Sequence, residues 1–478
     1  MGKILKGTAW SMVERFSVQG IQFVLSLVIA RILLPSDYGL IAMLTVFINI
    51  SQVFVDSGFS KALIQKQNRT ETDLSTVFYF NIAISTFIYC ILFVTSPYIA
   101  VFYKEPQLEL ILKVTALNII ITSFYSIQNT ILLIKMDFKR SAYISLVAVI
   151  TSGSIALLLA YLNYGVWALV FQTITYNIIL TILLWLTSKW RPKLVFSIQS
   201  FKEMFGFGSK LLGSALITAI YNNLYSLVIG RTLSSKDLGL YNRGFNMAKI
   251  IPANISTIFT RVTFTAECEM QDDEELLQRK YMEYIRMISY IVFPLLLCLV
   301  VIADPLVRFL LTDKWEECIP IFQILCIASL FQPVMLMNWQ LVNVKHRSDY
   351  ALYSEIIKKV IGLAILVLTI SGGLYFLCWG LVVYEIADMA IMTYYTRKLL
   401  PKISFISEMK NLGPILGFAI AMASIAYGIN HLYDASNFVK VIVGVVICIV
   451  SYLLFSIIFK NKEFHRVLSV IKSEKAKK

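Results

Sequence analysis

The sequence predicts an all-α polytopic membrane protein with about fourteen transmembrane helices, and three observations carry that prediction. Of the 478 residues, 58% are hydrophobic and 15% charged, against roughly 25% charged in a soluble domain; the mean hydropathy is +0.73. Apolar runs of about 20 residues, enough for a helix to cross a bilayer, recur along the whole chain. Finally, one fifteen-residue stretch returns 200 positions later: 26–40 reads SLVIARILLPSDYGL and 226–240 reads SLVIGRTLSSKDLGL, with nine positions identical and no gap. Self-similarity on that scale points to an internal duplication.

The expected spans lie at 9–31, 38–60, 76–102, 108–134, 142–162, 165–187, 206–230, 237–260, 281–303, 318–344, 350–371, 375–396, 411–430 and 438–459. The first follows Lys3 and Lys6 and holds Glu14 and Arg15, too long and too polar for the core of a cleaved signal peptide. Pro35, Pro97, Pro106, Pro192, Gly372-Gly373 and Pro401 punctuate the span ends, as helix breakers should. Pro252, Pro294 and Pro333 fall inside spans and are expected to kink them, because each removes a backbone donor.

With the N-terminus inside, the inner loops and tails hold about four times the Lys and Arg of the outer connections, which places both termini in the cytoplasm. The acidic stretch from Glu267 to Glu275 is the one dissenting inner loop. Arg31 and Arg231 then both end helices on the outer side with six helices between them, so the repeats face the same way. This predicts two parallel six-helix lobes related by a pseudo-two-fold axis along the membrane normal. The N-lobe is 1–188 and the C-lobe 206–398, joined by a cytoplasmic linker at 189–205. Helices 13 and 14 (399–460) are an appendage, and 461–478 a basic cytoplasmic tail.

A net charge of +14 often signals nucleic acid; here it follows from the inner loops, and no nucleic-acid partner is expected. The seven cysteines lack any Cys-x-x-Cys spacing and read as apolar fillers, without a disulfide framework or metal. His346, His431 and His465 lie in loops or the tail without metal-ligand spacing. No Gly-rich phosphate loop occurs, and Asp272-Asp273 reads as a solvated charge run. The outer loops are too short for a catalytic domain, so neither enzyme nor cofactor is expected.

Polar side chains in hydrocarbon are costly, so their helical faces locate water or cargo. Helix 1 places Thr8, Ser11, Arg15, Gln19, Gln22 and Ser26 at steps of three and four. Helix 2 does so with Thr45, Asn49, Gln52, Asp56 and Ser60, and helix 8 with Asn242, Asn246, Lys249, Ser256 and Thr260, Arg243 beside them. Helix 7 carries Ser214, Thr218, Tyr221, Asn222, Asn223 and Tyr225. Each set shares one face. The stripes are expected either to line a polar, net-basic central cavity or to hydrogen-bond helix to helix; their repeat-related positions favour the cavity. Glu355 and Lys359 suggest an i,i+4 pair, and Glu385 with Asp388 share a face of helix 12 as candidate cation or proton sites.

At several of these residues the chain resembles a known family. Ala30-Arg31, Pro35-Ser36-Asp37-Tyr38-Gly39-Leu40, Asp56-Ser57-Gly58-Phe59 and Ala62-Leu63-Ile64-Gln65 look like the first hairpin of bacterial polysaccharide transporters in the MOP (multidrug/oligosaccharidyl-lipid/polysaccharide) exporter superfamily. Lys135 to Arg140, Tyr164 to Leu169 and Gly239-Leu240-Tyr241-Asn242-Arg243 resemble its Wzx-type and teichuronic-acid-exporter branch. The similarity runs across about the first 400 residues.

The resemblance implies a flippase in the bacterial cytoplasmic membrane. Its cargo would be a lipid-linked oligosaccharide on undecaprenyl pyrophosphate, moved by alternating access for surface polysaccharide synthesis. On that reading Arg15, Arg243 and Lys249 meet the pyrophosphate. Gln22, Asn49, Gln52, Tyr221, Asn222, Asn223, Tyr225, Asn242 and Asn246 meet the saccharide. Glu14, Asp56, Glu385 and Asp388 are candidates for coupling to a proton or sodium ion. Arg31, Asp37, Arg231 and Asp237 are read as structural links in the hairpin turns. Membrane lipids and polysaccharide polymerase or assembly proteins are the implied contacts. A cation-coupled drug antiporter of the same superfamily and a membrane polysaccharide polymerase or ligase are the alternatives.

Overall fold

The computed structural model describes residues 2–56, 59–432 and 434–465, leaving aside the side chains of 2–9, 11–15, 56, 61, 207, 208, 210, 211 and 431. Among the described residues every regular element is helical, and the chain divides into two compact units, Met1–Gly239 and Leu240–Lys478. The first holds α1 (Gly2–Ile32), α2 (Pro35–Asp56), α3 (Phe59–Gln65), α4 (Glu71–Tyr103), α5 (Gln107–Thr115), α6 (Leu117–Lys135), α7 (Phe138–Tyr161), α8 (Trp167–Thr187) and α9 (Ile198–Thr232). The boundary falls inside α10 (Ser235–Glu269). The second unit continues with α11 (Glu274–Val301), α12 (Ala303–Leu311), α13 (Cys318–Ala328), α14 (Gln332–Val344), α15 (Ser348–Ile370), α16 (Gly373–Leu399), α17 (Phe405–Leu432) and α18 (Asn437–Ile458).

Eleven segments among the described residues are long and apolar enough to cross a membrane. The other three expected spans fall on α1, α10 and α15. In α1 the apolar stretch runs Phe16–Ile32. The helices α10 and α15, of 35 and 23 residues, have the length but are too polar to match on composition: α10 carries charges and amides, α15 charges alone. The polarity of α10 belongs to a stripe that the sequence singles out, and that of α15 comes from Asp349, Glu355, Lys358 and Lys359.

Local chemistry sets the helix ends. Thr70 and Asp73 form a capping box on α4, and Asp37 Oδ2 reaches back to the Leu34 N–H at 3.0 Å. In the repeated hairpin Ser234 Oγ accepts the Asp237 N–H at 3.1 Å and donates its own proton to Asp237 Oδ2 at 2.6 Å. Both aspartates are therefore turn-building residues, as expected of them. Just after α3, Lys66 donates to Glu203 at 3.0 Å and Asp73 at 3.2 Å, and these carboxylates, Glu203 foremost, hold its ammonium above the usual lysine range. Residues 198–205, expected in a linker, form the first turns of α9, where Phe201 and Met204 pack with Phe59, Phe78 and Trp190. The helix α10 likewise runs on to Glu269, so Glu267 is helical and buried. Pro252 and Pro294 lie within continuous helices, whereas Pro333 follows a 3-10 turn at Ser329–Phe331 that separates α13 from α14.

The duplicated stretches meet within the first unit. A Cβ on Gly39 would lie 1.6 Å from the Ser235 carbonyl oxygen, and one on Gly239 would lie 1.9 Å from that of Pro35. Positions 35 and 235 correspond in the repeat, as do 39 and 239, so each copy's glycine receives the other copy's backbone. Reciprocal contact between equivalent residues is the mark of a two-fold relation. Only a residue without a side chain lets the two helix starts approach so closely.

Polar contacts between helices are frequent in both units. In the first, Asn177 links α8 to Asn118 and Tyr125 of α6 at 3.0 and 3.1 Å, and Ser85 of α4 meets Ser123 of α6 at 3.0 Å. In the second, Tyr281 O–H, Asn338 N–H and Thr393 O–H donate to the Glu408 carboxylate at 2.8, 3.2 and 2.6 Å. That carboxylate, with no solvent exposure, ties α11, α14, α16 and α17 together. Further along, Tyr290 on α11 donates to Ser456 on α18 at 2.8 Å. The last two helices are thus built into the second unit and not set apart from it. At the other end of α12, Arg308 meets Asp304, Asp313 and Glu316 at 2.6–2.9 Å, and these carboxylates raise its already high pKa.

Candidate functional site

In the first unit the polar face is built by α2 and α9, which pack side by side. Asn49 on α2 donates to Asn223 Oδ1 on α9 at 3.2 Å, and Asn223 donates to the Ala219 carbonyl at 2.8 Å. Two residues assigned to saccharide recognition from the sequence are thereby brought together across 174 positions. Asn222 and Asn49 are exposed, Gln52, Tyr221 and Tyr225 half-buried, and Gln22 is exposed on α1. The part of α9 that crosses the membrane, Leu212–Thr232, is the least buried of the eleven apolar spans.

Exposed amides on a membrane-length helix demand an explanation, because an unpaired amide facing hydrocarbon costs several kcal/mol. Water or a polar cargo beside this face supplies one. The side chains of Glu14, Arg15 and Asp56, the remaining candidates from α1 and α2, lie outside the described residues.

In the second unit the stripe on α10 places Asn246 exposed and Asn242, Arg243 and Lys249 half-buried. The Arg243 guanidinium sits over the buried Trp315 ring at 5.6 Å, and the Lys249 ammonium lies 4.2 Å from the Phe245 ring. Rings in these positions attract and orient a cation. Lys249 also feels the Glu385 carboxylate of α16. One turn on, Asp388, buried on the same helix, pairs with Lys358 of α15 at 3.4 Å. Lys358, only 5% exposed, pairs in addition with Glu355 at 2.6 Å. The expected Glu355–Lys359 pair is therefore replaced by Glu355–Lys358, since Lys358 is the lysine that also faces Asp388. The charges around Lys249 alternate in sign: Glu385 beside it, then Lys358 between Asp388 and Glu355.

Glu408 and Glu267 are buried carboxylates that sequence reasoning places in loops. Gln340 donates to Glu267 Oε2 at 2.9 Å and to Thr263 Oγ1 at 2.9 Å. The only sequence signal for either was an acid just beyond an apolar run, which is also how a solvated helix end looks. No group of three or more His, Cys, Asp or Glu side chains among the described residues has the geometry to hold a metal ion.

Membrane-length helices, a duplicated hairpin with reciprocal contact, and exposed amides along the spans define a polytopic membrane protein of the transporter type. The chain belongs to the family described as polysaccharide biosynthesis protein, whose model matches residues 28–320. The teichuronic acid biosynthesis protein TuaB of Bacillus subtilis (strain 168) is 26% identical over 434 residues, covering 90% of this chain and 89% of that one. The lipopolysaccharide biosynthesis protein WzxC of Escherichia coli (strain K12) is 25% identical over 358 residues, covering 74% and 73%. Among solved structures, the lipid II flippase MurJ in an inward closed conformation superposes with a TM-score of 0.73 at 13% identity, over 94% of this chain and 98% of that one. An inward-facing MATE family multidrug resistance transporter of the MOP superfamily gives 0.61 at 15% identity, over 82% and 98%. These two likenesses establish the fold.

Proposed function

We propose that the protein is a flippase, a transporter and not an enzyme. It carries a lipid-linked oligosaccharide, on undecaprenyl pyrophosphate, across the bacterial cytoplasmic membrane for surface polysaccharide synthesis. The observation that carries this reading is the row of exposed or half-buried amides and phenols on membrane-length helices, Asn49, Asn222, Tyr221 and Tyr225 in one unit and Asn242 and Asn246 in the other. Sugar hydroxyls pair with amides and sugar faces lie on aromatic rings, whereas lipid tails do neither. Family membership and relatives named for teichuronic acid and lipopolysaccharide biosynthesis support the same cargo class.

The pyrophosphate needs cations in a place that hydrocarbon surrounds. Arg243 and Lys249 are the described candidates, each held against an aromatic ring, with Arg15 the third. Glu385 competes with the pyrophosphate for Lys249; a proton or sodium ion at Glu385 would release the ammonium to the cargo, and Asp388 extends that charge chain through Lys358. Glu14 and Asp56 are the corresponding candidates for coupling in the first unit. The lipid tail remains in the bilayer while alternating access moves the headgroup. Both termini are assigned to the cytoplasm.

In a strain that depends on this chain for its surface glycan, Lys249→Ala and Arg243→Ala variants inserted at parental levels should lower export about ten-fold or more, while Lys249→Arg retains most of it. Surface glycan is read by antibody or lectin, and the lipid-linked intermediate by extraction. Undiminished glycan in the Arg243→Ala, Lys249→Ala double variant would remove both residues from the site.

A further inference from the structure

The ends of α11, α17 and α18 that lie together in the second unit line an open cavity of about 510 Å3 that the proposed transport does not use. Four basic and two acidic side chains line it. Both acids already have cations: Glu283 meets Lys280 at 3.3 Å, and Glu463 holds Arg286, whose Nη1 also donates to the Asn411 carbonyl at 2.9 Å. The other three basic residues, Arg279, Lys460 and Lys462, are exposed, and among the described residues no acid lies within ion-pair distance of them.

The turn that carries the two lysines is fixed from beneath. Lys460 takes the left-handed conformation that ends α18, at φ 48°. Buried Asn461 accepts the Glu463 N–H at 2.9 Å. The opposite wall is apolar: the Phe418 and Phe459 rings lie 5.0 Å apart, and Phe459 is 60% exposed.

We infer that this cavity binds the headgroup of an anionic phospholipid. Three unmatched cations call for a phosphate, and the adjoining exposed aromatic wall calls for an acyl chain. A soluble anion would leave that wall in water, and an uncharged lipid would leave the cations unanswered. The place fits as well, because helix ends of a membrane-spanning bundle lie at the bilayer boundary, where basic pockets between helices take anionic headgroups.

The test uses the full-length protein in detergent, titrated with phosphatidylglycerol or phosphatidylcholine of the same acyl chains, with bound lipid counted by native mass spectrometry. Phosphatidylglycerol should bind about ten-fold more tightly or better. Arg279→Ala, Lys460→Ala, Lys462→Ala together should abolish that preference, while Lys402→Ala, at an exposed lysine outside the cavity, should keep it. The charge-preserving variant Arg279→Lys, Lys460→Arg, Lys462→Arg should also keep it, which separates lost charge from lost fold. Equal binding of the two lipids, an undiminished preference in the triple alanine variant, or loss in the charge-preserving one would each overturn the assignment. So would displacement of the lipid by glycerol phosphate at equal concentration, since the aromatic wall would then contribute nothing.

Discussion

Gly39→Ala and Gly239→Ala should each lower the stability of the protein by about 3 kcal/mol or more, read as an earlier thermal unfolding transition in detergent. The new methyl group would stand 1.6 Å from the Ser235 carbonyl oxygen in one case and 1.9 Å from that of Pro35 in the other. Both obstacles are backbone at the starts of helices, where no rotamer change relieves the clash, so α2 and α10 must part. Glycines with open surroundings predict the opposite sign. Gly213 and Gly417 have nothing within 4 Å of an added Cβ, and alanine there should hold or raise helix stability by about 0.5–1 kcal/mol. A Gly39→Ala protein that unfolds with the parent would mean that the repeats do not cross at these residues.

Glu408→Ala should be the most damaging single change in the second unit, at about 3–5 kcal/mol. It takes the carboxylate from the buried Tyr281 hydroxyl where no water reaches, leaves Thr393 and Asn338 only the carbonyls of Met389 and Val334 on their own helices, and disconnects four helices at once. Glu408→Gln should fall between alanine and the parent, because a carboxamide keeps the volume and an acceptor oxygen but turns an N–H toward a donor. Glu275→Ala, at an exposed carboxylate near the start of α11, should change little. The thermal transition of the three variants in the same detergent is the measurement, and equal transitions for Glu408→Ala and Glu275→Ala would deny the network its structural role.

The helices were legible in the sequence because a bilayer imposes length and apolarity on every span, and the duplication was legible because nine of fifteen residues survive in it. Helix extensions beyond the apolar spans were not: Lys202 and Glu203 in α9 and Glu267 in α10 look like loop residues until Phe201, Met204, Gln340 and Thr263 are seen packed with them or beside them. At the site, residue type and face could be read, so the stripes that include Asn49 and Asn223 stood out. Their pairing could not be read, because contact across 174 positions depends on how α2 and α9 pack. The choice between Lys358 and Lys359 failed for the same reason. Helical period places both near Glu355, and only Asp388 on another helix decides. The alternating charges near Lys249 follow from that same packing, which sequence order does not reveal.

Translocation itself is most directly read in sealed proteoliposomes holding the purified chain and an undecaprenyl-pyrophosphate-linked oligosaccharide labelled on its sugar. A glycosidase added outside should reach label that started inside, at a rate set by the amount of protein and lost in the Arg243→Ala, Lys249→Ala variant. Label that stays protected over a monodisperse, folded protein, across oligosaccharides of differing composition and with proton or sodium gradients imposed in either direction, would contradict a flippase.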